Sequence, residues 1–225
     1  MSITMIWIIT LAVMFASLLI QGKLQKRFAE YSQIPVQLTG AEIAQMMLRE
    51  NGITDVKIMC ISGELTDHYN PQNRTVNLSN DVYYGRSVSA AAVAAHECGH
   101  VLQHASGYSP LKLRTLLVPA VNFASNIVSW VLLAGVLLIN VFPGLLWLAI
   151  ALFALTTLFS IITLPVEINA SSRAVAWLES AGVVSYETKP LAQDALKWAA
   201  YTYVIAAVGS LANLFYYISL FFRKN

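Results

Sequence analysis

The stretch AVAAHECGHVLQHASGY, residues 92–108, decides how this chain is interpreted, because it joins a polar segment to a long apolar one. It carries His96, Glu97 and His100 in the order H-E-x-x-H. Residues four apart on a helix lie one above the other, so both imidazoles can bind one metal ion while the glutamate projects close by. The spacing predicts two zinc ligands and a general base, Glu97. The alternative, a helix with two surface histidines whose hydrogen bonds are satisfied, does not explain these three residues in so apolar a segment.

The segment around this motif is predicted to be a capped helix. Ser87 or Ser89 supplies the N-terminal cap, the alanine-rich run 90–95 leads into the motif, and Gly107 and Pro110 end the helix. The motif therefore lies in the body of a helix, where two histidines four residues apart project from the same face.

The composition places the chain in a membrane. It has 225 residues, of which 57% are hydrophobic and only 12% are charged, about half the charged share of soluble domains. Four long apolar runs account for the difference and predict membrane-spanning helices. The net charge of +2 is too small to indicate a nucleic-acid partner. Cys60 and Cys98 do not make a disulfide framework.

These runs predict an α+β membrane protein with about four transmembrane helices and one small polar domain. The predicted segments are a transmembrane anchor (1–22), a polar domain with the H-E-x-x-H helix (23–115), transmembrane helices at 116–141 and 142–166, a polar helical segment (167–198) and a last transmembrane helix (199–222).

Basic residues near the span ends predict the orientation. On one side of a four-span topology lie Lys23, Lys26, Arg27, Lys112, Arg114, Arg173, Lys189 and Lys197. The exception is the tail Arg223–Lys224, whose basic residues lie on the opposite side. The distribution predicts a multi-pass protein of the plasma membrane with both termini outside and the polar segments, including the active site, in the cytoplasm.

The polar domain shows signals for helices and strands. Thr39 to Glu42 matches a capping box at the start of a helix that ends at Asn51-Gly52. Strands are predicted at 56–61, 65–69 and 74–79. Within the last of these, residues 75–79 form either an edge strand that pairs with an extended peptide or an ordinary core strand.

The third zinc ligand must come from outside the motif. His104 continues the four-residue spacing but lies about 12 Å along the helix axis from His96, too far to share one ion. His68 is the remaining histidine. Glu167 is the best carboxylate, because a charge directly after a long apolar run is costly unless it is paired or bound to metal. The alternative role for Glu167 is a helix-start acid that interacts with the helix dipole.

Two segments of the sequence resemble those of a known family. HECGH at 96–100 with LPVEINASSRA at 164–174 resembles the YugP-type family of bacterial membrane neutral zinc metallopeptidases, in the HtpX-like group of gluzincins. The resemblance covers nearly the whole chain. It implies a zincin-like polar domain, one catalytic Zn²⁺ held by His96, His100 and Glu167, and Glu97 as the catalytic base. Where that group has an aspartate that supports a zinc histidine, this chain has Ser171, and Asn169 is an equal candidate.

The expected function is that of a zinc metalloendopeptidase of the bacterial plasma membrane. It would cleave peptide bonds of membrane or membrane-near proteins at the cytoplasmic face, with the lipid bilayer as its second partner and no nucleic acid. The alternative is a non-catalytic membrane scaffold with a structural zinc, for which Cys98 would be the fourth ligand. A zinc transporter is disfavoured, because the predicted spans contain no His, Asp or Glu. Candidates for stabilising the oxyanion are His68, Tyr69, Tyr83, Tyr84, Arg173 and Tyr186.

Overall fold

The computed structural model describes residues 3–224 and is mostly helical with one small sheet. Met1 and Ser2 of the predicted anchor, Asn225, and the side chains of the Arg223–Lys224 tail lie outside the described part. The helices are α1 (Ile3–Tyr31), α2 (Gly40–Glu50), α3 (Asn80–Tyr83), α4 (Val88–Ala105), α5 (Ser109–Leu137), α6 (Pro143–Ser180) and α7 (Lys189–Lys224). The strands are β1 (Lys57–Ile61), β2 (His68–Asn70) and β3 (Thr75–Ser79).

Within residues 3–224, four helices are long and apolar enough to cross a membrane. They are α1, α5, α6 and α7, so the predicted number of apolar helices is confirmed. Each of these helices is longer than the apolar run that predicted it. Polar helical turns continue from the apolar ones, because a helix satisfies its own backbone hydrogen bonds in either environment.

Helix α6 differs most from its predicted bounds. It is 38 residues long and runs without interruption through position 166, with Pro165 inside it. The residues that follow the apolar run, including Glu167, therefore lie in a helix interior. The explanation of Glu167 as a helix-start acid is wrong, because the N-terminus of this helix is at Pro143.

The chain separates into two compact units. Among the described residues, the first comprises 3–19, Lys112–Leu164 and 202–224. It contains a buried cluster of Ile139, Leu146 and Ile150. Gly135 allows close packing there, since a Cβ on it would lie 2.9 Å from the Cα of Leu146.

The second unit comprises Ile20–Leu111 and Pro165–Tyr201 and contains the sheet. The strand order is β1-β3-β2, with β1 parallel and β2 antiparallel to β3. Val76 and Leu78 of the central strand are fully buried. The prediction of an edge strand at 75–79 is therefore wrong and the core-strand alternative holds. The antiparallel edge strand is β2, which the sequence placed at 65–69.

Helix α4 forms the centre of this second unit. The hydroxyl of Ser87 caps it by accepting a hydrogen bond from the backbone N–H of Ala90, and most of its residues are buried. Its alanines let neighbouring elements approach closely. Helix α2 is one of those neighbours, and it begins with the predicted capping box between Thr39 and Glu42.

Candidate metal centre

Helices α4 and α6 bring three side chains of the second unit together. His96 Nε2 lies 3.3 Å and His100 Nε2 lies 3.6 Å from the same oxygen, Oε2 of Glu167. The two imidazoles are one turn apart, with ring centroids 4.8 Å from each other. One ligand atom from each of the three residues lies within 4.8 Å of the others. Two nitrogens and a carboxylate oxygen at this spacing form a donor set typical of a catalytic zinc site.

The outward nitrogen of each imidazole has its own hydrogen-bonding partner. His96 Nδ1 lies 3.1 Å from the hydroxyl oxygen of Ser171. His100 Nδ1 lies 3.1 Å from Oε1 of Gln103. A partner on Nδ1 fixes the orientation of the ring and directs Nε2 towards a metal. Of the two residues that the family resemblance offered as partners of a zinc histidine, Ser171 contacts His96, while Asn169 contacts Gln103.

Glu97 lies beside this cluster and is fixed by the sheet. Its Oε2 accepts a hydrogen bond of 3.0 Å from the backbone N–H of Tyr69 in the edge strand β2. The side chain of Tyr69 is itself partly buried, and this burial raises the pKa of its phenol. The backbone of the edge strand therefore fixes the orientation of the Glu97 carboxylate.

Charge and burial make the cluster suitable for a divalent cation. Glu97 and Glu167 are only 8% and 4% exposed, and two buried carboxylates require a compensating positive charge. Burial has the largest effect on the pKa of His100 and lowers it, but hydrogen bonds and the charges of both glutamates outweigh that effect and raise it. A raised pKa means that the site favours a proton on His100. The residues present fit a zinc ion, whose positive charge would take the place of that proton.

Gly99, between the two histidines, determines how closely the helices approach. A Cβ on Gly99 would lie 2.6 Å from the carbonyl oxygen of Ala170 in α6. Gly99 was not among the functional positions predicted from the sequence. A glycine inside a helix lowers helix stability by about 1 kcal/mol relative to alanine, so a glycine at this position indicates a requirement for close packing.

The other histidines lie away from the three-residue cluster. His104 Nδ1 is 3.4 Å from the hydroxyl of Tyr69, so His104 contacts the edge strand. His68 donates through Nδ1 to the carbonyl of Thr66, and its Nε2 lies near the amide of Asn77.

The cysteine proposed for a closed structural site faces another helix. Cys98 is fully buried, and its thiol donates to the backbone carbonyl of Ala44 in α2. Burial raises the pKa of this thiol, which opposes formation of the thiolate that zinc would need. Cys98 is therefore a packing residue.

The remaining oxyanion candidates lie at different places in the second unit. Tyr83 and Tyr84 contact each other and line a groove with α2 and β1. Tyr186 is almost fully exposed. Arg173 donates through Nε to Asn169. Of this set, Tyr69 is the residue with a hydrogen bond to Glu97.

Comparison with known proteins agrees with this geometry. A family model described as "Putative neutral zinc metallopeptidase" matches residues 5–222. The chain belongs to this family. It is also similar to a protein of Bacillus subtilis (strain 168) described as "Putative membrane protease YugP", with 43% identity over 215 residues, which is 95% of each chain. No solved structure matches the chain.

Membership of the family confirms the resemblance seen in the sequence. Both descriptions name a peptidase or protease, and one of them names a membrane protein. The four apolar helices agree with that second description. The family description names zinc, and the structure brings together two histidines and a glutamate that could hold a metal ion.

Proposed function

We propose that the protein is a membrane-bound zinc metalloendopeptidase in which His96, His100 and Glu167 hold the ion and Glu97 is the catalytic base. The observation that carries the proposal is that both imidazole Nε2 atoms point at one oxygen of Glu167, while each Nδ1 has another partner. An unliganded pair of surface histidines has no reason to be arranged in this way.

The chemistry that a bound zinc ion supplies is Lewis acidity, which polarises a carbonyl group and lowers the pKa of a water molecule. Glu97 then transfers the protons. Its Oε2 accepts the Tyr69 N–H, so Oε1 is the oxygen to which we assign proton removal from the attacking water. The same oxygen returns the proton to the leaving amine as the peptide bond breaks.

An extended peptide is the substrate shape that this arrangement favours. Strand β2 is an antiparallel edge strand, and the N–H of its middle residue, Tyr69, bonds to Glu97. A peptide that lay alongside β2 would have its backbone beside the proposed base, and pairing through main-chain groups places few demands on sequence. Flexible or unfolded segments of membrane and membrane-near proteins have this shape.

We place the active site on the cytoplasmic face of the bacterial plasma membrane. The support is the distribution of Lys and Arg, which lie mostly on the side of the large polar segments. A cysteine introduced at Asn140, in the turn between α5 and α6, should react with a membrane-impermeant thiol reagent in intact cells. Protection of this cysteine until the cells are lysed would reverse the orientation.

The proposed function is tested by Glu97→Gln in purified protein. We expect cleavage of an unfolded protein substrate to fall by about 10²- to 10⁴-fold, the usual contribution of a general base, while zinc content stays at the wild-type value. Glu64→Gln, at an exposed acid outside the cluster, is the matched control and should cleave like wild type. Undiminished cleavage by the Glu97 variant would refute the assignment of the base.

A further inference from the structure

Gln103 is a fully buried polar residue one turn after His100 that the proposed chemistry does not use. Its Oε1 faces His100 Nδ1 at 3.1 Å. Its Nε2 donates to the backbone carbonyl of Val166 at 2.7 Å and to Oδ1 of Asn169 at 3.1 Å. A buried amide with all of these contacts is fixed in one orientation, because any other would leave buried groups unsatisfied.

Two independent partners determine which end of this amide faces the histidine. The carbonyl of Val166 can only accept, so the atom opposite it must be the NH₂ group of Gln103. Arg173 can only donate, and its Nε donates to Asn169 Oδ1 at 2.8 Å. Asn169 therefore presents its oxygen, which again requires the NH₂ group of Gln103. Both partners place the carbonyl oxygen of Gln103 against His100.

This orientation selects the tautomer of His100. A carbonyl oxygen opposite Nδ1 requires a proton on Nδ1, so the lone pair of the neutral imidazole is on Nε2. Nε2 is the atom that lies 3.6 Å from Oε2 of Glu167. The same amide bonds to Val166, the residue directly before Glu167, and so holds this turn of α6 against α4.

We infer that Gln103 is a positioning residue of the metal centre, which fixes the metal-binding tautomer of His100 and holds the Glu167 turn in place, with Asn169 and Arg173 setting its direction. The inference rests on the proposed function, because it gives Gln103 a role only if His100 and Glu167 bind zinc. It assigns a supporting residue to the second histidine of the motif, as Ser171 supports the first.

The test measures zinc affinity by competition with a chelator for full-length protein in detergent. Gln103→Met keeps the length of the side chain and removes both hydrogen-bonding ends. We expect the zinc dissociation constant to rise about 10- to 100-fold, the range typical of residues that support a metal ligand. kcat should fall with KM unchanged, because Gln103 is buried, and the visible spectrum of the cobalt-substituted protein should change.

A matched control separates this role from simple loss of a buried hydrogen bond. Tyr31→Phe removes the 2.8 Å bond from the buried Tyr31 to Asp194 in the same unit. It should lower the melting temperature without changing zinc affinity or the cobalt spectrum. Wild-type zinc affinity in Gln103→Met would overturn the inference, as would an equal loss of affinity in Tyr31→Phe.

Asn169→Ala keeps the test decisive if Gln103→Met does not fold. It removes only one of the two partners that orient the amide, so the loss of zinc affinity should lie between wild type and Gln103→Met. Unchanged affinity in Asn169→Ala would contradict the role of the Asn169–Arg173 pair. A wild-type protein that binds no zinc would refute the proposed function itself, whereas a zinc-loaded wild type with unaffected variants would refute only the role of Gln103.

Discussion

Gly99 of α4 packs directly against the backbone of Ala170 in α6. A Cβ on Gly99 would lie 2.6 Å from the Ala170 carbonyl oxygen and 3.1 Å from its carbonyl carbon. The glycine belongs to the motif that carries both histidines, and Ala170 lies three residues after Glu167. This contact therefore sets the distance between the two helices that supply the proposed ligands.

Gly99→Ala should weaken zinc binding and lower stability. The added methyl group meets backbone, which cannot rotate away, so the helices must separate, and overpacking of this kind costs about 1–3 kcal/mol. Zinc affinity and thermal unfolding in detergent are the measurements. Gly22→Ala is the control, because a Cβ at Gly22 meets nothing within 4 Å, and the change should be neutral or slightly stabilising. Equal zinc affinity in Gly99→Ala and wild type would show that the helix spacing does not matter.

Glu167→Gln should reduce zinc content sharply. The amide keeps the shape of the side chain but removes the negative charge beside both imidazoles. The loss of affinity should be at least as large as the ~10- to 100-fold loss expected for a supporting residue. Zinc stoichiometry after dialysis measures it. Glu179→Gln changes an exposed acid on the same helix that pairs with Lys189, and should retain zinc. Full stoichiometry in the Glu167 variant would exclude this residue as the third ligand.

Thr39→Ala should lower stability without affecting the site. It removes the cap of α2, where the Thr39 hydroxyl accepts from the N–H of Glu42, and such losses cost about 0.5–2 kcal/mol. Thermal unfolding measures the loss, and zinc content per folded molecule should be unchanged. A drop in zinc affinity would mean that the start of α2 is coupled to the metal centre.

The capping box also predicts that the stability of the folded protein depends on pH. Hydrogen bonds from the backbone N–H and the hydroxyl of Thr39 lower the pKa of Glu42 below 4.5, the ordinary value for a glutamate. A carboxyl with a lowered pKa stabilises the folded state fully above its unfolded pKa and loses that contribution as the pH falls through the folded pKa. The stability difference between wild type and Glu42→Gln should therefore be present at neutral pH and shrink below about pH 4.5. A difference independent of pH would contradict it.

Local patterns predicted much of the architecture. The H-E-x-x-H spacing, the capping box at Thr39 and the four apolar runs each depend on residues close together in the chain, and the corresponding helices are present. The position of β3 in the sheet was harder to predict. Its alternating pattern suits an edge or a central strand, and pairing with β1 and β2 decided it.

The sequence by itself determined that His96 and His100 share one face of a helix and that His104 lies too far along the axis, because helix geometry fixes both distances. It also made Glu167 the leading third ligand. Only the tertiary structure decided that Glu167 lies in the interior of a continuous helix and that the N–H of Tyr69 fixes Glu97. The contacts of Ser171 and Gln103 with the histidines were also visible only in the tertiary structure. These contacts join residues 28 to 75 positions apart, except the local Gln103 pair, and no local pattern records which backbone groups packing brings together.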